Sequence, residues 1–177
     1  ATVAIVLPFA GKNGADGVKT FVDLDGELLT AETNALDVTE NTIAFNAPHF
    51  STVTVVNKYR VTLNDKYVVE SAPANAVLPE AAIVTFNGEA YYAPGENVGD
   101  FVINETVVPA GLVYNKVMFN DTEFIDSFMM PAEPVTVTAY LTAENYYIYY
   151  YVNGEIQDVE WTTPKSDLEI LSTSEYL

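Results

Sequence analysis

A chain of 177 residues that is 49% hydrophobic can bury a sizeable core, as one large domain or as two to three small ones. Its 25 acids against 7 bases give a net charge of -18, which repels phosphate backbones and anionic lipid surfaces and argues against nucleic acid and simple membrane binding. The absence of cysteine excludes disulfides, thiolate metal sites and a cysteine nucleophile, and no apolar run approaches the length of a membrane span.

Residues 2–9 are apolar and read as a strand, and residues 11–17 form a Gly/Asn/Asp loop. Residues 18–24 and 28–33 flank Asp25-Gly26, a two-residue turn that predicts a hairpin with Val22 opposite Leu29 and Lys19 opposite Glu32 as a cross-strand ion pair. Residues 42–45 and 50–56 supply two more strands, and a first unit closes near Asn57. A second unit begins at Lys58 with the strand Tyr59-Arg-Val-Thr-Leu63. Prolines at 73, 79, 94 and 109 then argue against long helices.

Leu7-Pro-Phe-Ala-Gly-Lys-Asn13, Val22-Asp-Leu-Asp-Gly-Glu-Leu28 and Ala47-Pro-His-Phe-Ser-Thr52 resemble the closing half of a small β-domain common in large cell-surface proteins of Gram-positive bacteria. Ser127-Phe-Met-Met-Pro-Ala-Glu-Pro-Val-Thr-Val-Thr-Ala139 resembles the last strand of repeat modules in such proteins, and its alternation points Val135, Val137 and Ala139 inward. The middle of the chain departs from those repeats in lacking a glycine-rich stretch. The resemblance implies an extracellular or cell-surface location and a modular build, and names no ligand.

Residues 145–161 are the strongest local signal, an aromatic and β-branched run broken by Asn153-Gly154 that predicts a hairpin with a two-residue turn. On an unbroken ladder Tyr151 stands opposite Ile156, Tyr149 opposite Asp158 and Tyr147 opposite Glu160, with Trp161 on the other, core-directed face. Tyr147, Tyr149 and Tyr151 could then stack on a sugar while Asp158 and Glu160 accept hydroxyl hydrogen bonds. A covered sheet face is the plainer reading, since aromatics are ordinary strand formers. An isolated hairpin is marginal in water, so this unit must pack on the preceding one, continue in a longer chain or pair with another molecule. Residues 163–177 form a polar tail that includes Thr163-Pro164 and Leu168-Glu-Ile-Leu171.

Signals for catalysis are weak. His49 is the only histidine, and Pro48 and Phe50 beside it suggest neither a triad nor a zinc site, so it reads as structural. No serine lies in a G-x-S-x-G elbow, and Gly11-Lys12 lacks the remaining residues of a phosphate loop. Close acid pairs are expected in solvated loops at this abundance, so they do not signal a glycosidase. The expected cofactor is none, with calcium the ion such acidity would suit; Asp121, Glu123 and Asp126 are the candidate metal residues, alongside the loop 96–100. The run Asp23-Leu-Asp-Gly-Glu27 lacks the distal acid of an EF-hand and reads as a turn. Lys58 and Lys116 are candidates for an intramolecular Lys–Asn amide of the kind some Gram-positive surface domains carry, and Asn104-Glu-Thr106 and Asn120-Asp-Thr122 match the glycosylation sequon.

The sequence thus predicts an all-β chain of small β-sandwich or β-grasp-like modules in tandem, mostly antiparallel, divided at 1–57, 58–143 and 144–177. The expected role is non-catalytic, in adhesion or as a structural spacer, with carbohydrate binding through the tyrosines as the alternative. Expected partners are other surface proteins, extracellular glycans, or a second copy joined by strand addition through residues 2–9.

Overall fold

Alternating apolar and polar residues between Gly, Asn and Asp turns produce a chain that is 49% strand and 5% helix, in several mostly antiparallel sheets. The fold is all-β. A computed structural model describes residues 1–49, 52–64, 66–72, 76–144 and, for the backbone, 146–162, with side chains in that last stretch described at 152–155. In chain order the elements are β1 (Val3–Leu7), β2 (Val18–Leu24), β3 (Glu27–Leu28), the short helix α1 (Ala31–Asn34), β4 (Asp37–Val38), β5 (Ile43–Ala47), β6 (Val53–Leu63), β7 (Val68–Val69), β8 (Val84–Phe86), β9 (Tyr91–Tyr92), β10 (Asn97–Val98), β11 (Phe101–Ile103), a 3-10 turn at Glu105–Val107, β12 (Leu112–Phe119), β13 (Thr122–Phe124), β14 (Phe128–Met129), β15 (Val135–Ala143), β16 (Tyr146–Val152) and β17 (Glu155–Thr162).

Two compact units emerge, each assembled from separated stretches: Ala1–Thr62, Asn87–Asp100 and Asp126–Thr136 in the first, Leu63–Phe86, Phe101–Ile125 and the described part of Val137–Leu177 in the second. These divisions fall elsewhere than at 57/58 and 143/144. Asn57, read from sequence as punctuation, lies inside β6 because its side-chain oxygen accepts a 2.7 Å hydrogen bond from the Thr20 hydroxyl on the neighbouring strand. Thr20 is 2% exposed and its oxygen also accepts from the Lys12 amide, so this buried hydroxyl is satisfied in both roles.

The first unit is a sandwich. One sheet runs β1–β5–β4, antiparallel, with Val3 opposite Ala47 and Leu7 opposite Ile43. The other places β2 between β3 and β6, with β9 on β6. Val22, Leu24 and Leu29 meet Ile43, Phe45 and Ala47 in a core to which Ile5, Leu7, Leu36, Val38, Val53 and Val55 add their apolar sides. The period of two then sends Lys19, Phe21 and Asp23 of β2 to the outer face of this sheet.

The Asp25-Gly26 turn forms as the sequence predicts, with both residues at positive φ (53° and 87°) and the Gly26 amide donating to the Asp23 carboxylate at 2.7 Å. Val22 and Leu29 meet as expected, the Leu29 amide donating to the Val22 carbonyl. The expected Lys19–Glu32 pair does not form. β3 ends at Leu28, and Thr30 caps α1 by accepting from the Thr33 amide at 3.0 Å, which puts Glu32 in the helix's first turn. Lys19 instead stands directly opposite Lys58.

In the second unit β12 lies between β13 and β15, and β7 pairs β15 in parallel. Along β15 burial alternates as predicted, with Val135, Val137 and Ala139 at 1%, 1% and 4% exposed. Ile83, Leu112, Ala139 and Leu141 form the core of this unit. Phe86 and Phe101 face each other across β8 and β11 with ring centroids 4.7 Å apart, and Phe101 continues to Phe124 at 5.1 Å.

The tyrosine hairpin is present as β16–β17, turning at Asn153 and Gly154 with φ of 55° and 82°. Its register departs from the unbroken ladder. Val152 opposes Glu155 and Tyr151 opposes Ile156, but a bulge then passes over Gln157, so Tyr150 meets Asp158, Tyr149 meets Val159, Ile148 meets Glu160, Tyr147 meets Trp161 and Tyr146 meets Thr162.

Candidate functional site

For Tyr147, Tyr149, Tyr151, Asp158, Glu160 and Trp161 only the backbone is described, and that register leaves neither Tyr149 opposite Asp158 nor Tyr147 opposite Glu160. Phe50, Ser51 and the tail 163–177 lie outside the described residues. Asp121, Glu123 and Asp126 are exposed along the β12–β13 turn, β13 and the segment after it. Among the described residues no group of three or more His, Asp or Glu side chains is gathered as metal ligands. His49 is exposed, with Nδ1 3.9 Å from the equally exposed Asp25 carboxylate.

Lys116, considered above for an amide cross-link, is instead one arm of a clamp on Glu70. A bulge on β12 between Tyr114 and Lys116 lets two consecutive side chains reach the same carboxylate, Lys116 Nζ at 3.1 Å and Asn115 Nδ2 at 2.7 Å. The Lys116 hydrogen bond, then that of Asn115, holds the Glu70 carboxyl below its ordinary 4.5, and the same bond raises the Lys116 ammonium above 10.5. A depressed acid stabilises the fold above its unfolded value and loses this as pH falls through the folded value; a raised lysine stabilises it below 10.5 and loses this as pH rises further. The clamp therefore contributes between these limits, weakly because both side chains are partly exposed. Glu70→Gln is expected to lower the denaturation midpoint slightly at neutral pH, with the difference from the parent chain vanishing as pH falls through the lowered value of Glu70. An unchanged gap in acid would show that the clamp is not responsible.

Two surfaces of the first unit carry exposed chemistry. The first is β1, the end strand of its sheet, paired only with β5 among the described residues. Its sequence Val-Ala-Ile-Val-Leu has no charge, proline or glycine; Ile5 and Leu7 pack on the core while Val6 is 64% exposed. Edge strands of this kind present a row of backbone donors and acceptors to a further strand.

The second surface is the outer face of β2, β6 and β9. Lys19 and Lys58, opposite each other, both stand over the Phe21 ring, at 5.5 and 5.0 Å from its centroid. Arg60, two residues along β6, stands opposite Tyr91 and is held by it: Nη2 donates to the Tyr91 hydroxyl at 2.6 Å and to the Gly14 carbonyl at 2.7 Å. Gly14 has φ of 96°, and a Cβ there would lie 2.7 Å from the Tyr91 hydroxyl, so glycine is required on both counts. Beside this face a cleft of about 450 Å³ is lined by Lys12, Lys19, Phe21, Leu29, Leu36 and Val38. Sequence reading missed this grouping. The signal available was that four of the seven bases, Lys12, Lys19, Lys58 and Arg60, fall in the first sixty residues of an acidic chain; what it lacked was the pairing of β2 with β6.

No protein-family model, curated protein sequence or solved structure matches this chain.

Proposed function

We propose that this chain is a non-catalytic module of a bacterial surface protein, serving adhesion or structural spacing and associating with its own kind by strand addition at β1. The observation that carries the reading is the uncharged five-residue β1 at the end of its sheet, with Val6 facing outward. Natural edges are commonly guarded by lysine, proline or a bulge, and β1 has none of these. The four sequence stretches resembling modules of Gram-positive surface proteins support the location, and sandwich layering in a cysteine-free chain suits a module that serves through its exterior.

The test is Val6→Lys, which places a charge on the outward side of the strand and leaves the inward Ile5 and Leu7 in the core. In about 1 M salt, where the Debye length is about 3 Å and charge-driven contacts are screened, the parent chain is expected to show a mass above the monomer by light scattering, and the folded variant to be monomeric. A parent chain that stays monomeric at its highest soluble concentration, or a folded variant that assembles equally, would refute strand addition.

A further inference from the structure

Three of the seven bases of this acidic chain, Lys19, Lys58 and Arg60, share one outer sheet face, which also carries Asp23, and they do so at a local cost. Like charges directly opposite each other in a sheet are destabilising, yet Lys19 and Lys58 occupy such a pair although 25 acids were available as partners. Among the described residues no carboxylate lies within ion-pair distance of Lys19, Lys58 or Arg60; the ion pairs there are His49–Asp25 and Lys116–Glu70. The rings of Phe21 and Tyr91 beneath the cations offset part of the repulsion without neutralising charge. Along the outer face of β6 the order is Val56, Lys58, Arg60, apolar then cationic then cationic, at every second residue.

The complementary order exists on the same chain. Asp121, Glu123 and Ile125 are all exposed at every second residue around β13, and Ile125 at 83% is the most exposed large hydrophobic among the described residues. β13 is the end strand beside β12, and Phe124, 8% exposed against Phe101 and Phe119, holds it in place. Glu123 lies on β13, Asp121 in the turn before it and Ile125 in the bend after it, so one short exposed segment offers two acids and an apolar group to the two cations and the apolar group of the other face.

We infer that the Lys19/Lys58/Arg60 face docks a second copy of this chain through that copy's Asp121, Glu123 and Ile125. The two patches differ, so the contact is head-to-tail, and successive copies form a ring where the rotation closes or an open filament where it does not. It uses neither β1 nor main-chain pairing, and stands or falls independently of strand addition.

Sedimentation of Val6→Lys chains in low salt isolates this contact. The expected result is a mass that rises with concentration and falls back to the monomer as salt approaches about 1 M. Lys19→Glu/Lys58→Glu and Asp121→Lys/Glu123→Lys are each expected to lose association by about tenfold or more, since each sets like charges against like. Mixing the two doubles restores it, because each then presents the charge that the other lacks. All four positions are on the surface or partly exposed, and circular dichroism with an unchanged melting profile confirms that each double variant is folded. Association of either double variant alone at parental strength, no restoration on mixing, or a Val6→Lys chain that is monomeric in low salt would overturn the inference. Binding by the Lys19/Lys58 face of an acidic polysaccharide in place of the second copy, seen as a monomer that shifts only when the glycan is added, would overturn it equally.

Discussion

Phe45→Ala is expected to lower the stability of the first unit by about 3–5 kcal/mol, the cost of removing a buried ring and leaving a cavity. Phe45 is 2% exposed on β5, paired with Ile5, and its ring lies among Val22, Leu24, Leu29 and Ile43, where the two sheets of the sandwich meet. Neighbours on both strand layers are fixed by their own ladders, so the gap is poorly filled by relaxation. Urea titration followed by far-ultraviolet circular dichroism should show an earlier transition for this unit. A loss below about 1 kcal/mol, the range of an average surface-to-intermediate substitution, would mean that the two sheets do not enclose Phe45.

Leu141→Ala should cost the second unit about 2–5 kcal/mol. Leu141 is fully buried on β15, opposite Tyr114 of β12 on one side and Val69 of β7 on the other, and it shares its core with Ile83, Leu112 and Ala139. The parallel pairing of β7 depends on this residue for packing, since β7 contributes only Val68 and Val69. Ile125→Ala in the same unit is the internal comparison: with its side chain 83% exposed, the change should fall within about 0.5 kcal/mol of the parent chain. Equal effects at 141 and 125 would contradict the placement of this core.

Features governed by neighbours close in sequence were legible from it. Asp25-Gly26 and Asn153-Gly154 set their turns through positive φ, and the alternation of Val135, Val137 and Ala139 set the buried side of β15. Features governed by distant partners were not. Leu29 reaches the core as expected, but the chain then leaves the sheet because Thr30 caps a helical turn, an outcome that the apolar-rich pattern of residues 28–33 does not distinguish from a strand. The bulge at Gln157 shifts every pair beyond it by one residue, and nothing in the local composition marks it. Asn57 resembles a boundary until Thr20 is found beside it, and Lys19 and Lys58 are unremarkable until β2 and β6 are paired. The composition did carry one clue to the candidate surface, the crowding of scarce bases into the first sixty residues.

The proposed role requires that the free side of β1 become occupied when copies meet, and amide hydrogen exchange over Val3–Leu7 reports this directly. Exchange should slow in this segment as the protein is concentrated in high salt, while Val6→Lys chains exchange there at one rate whatever the concentration. Exchange over Val3–Leu7 that is independent of concentration in the parent chain would contradict the account.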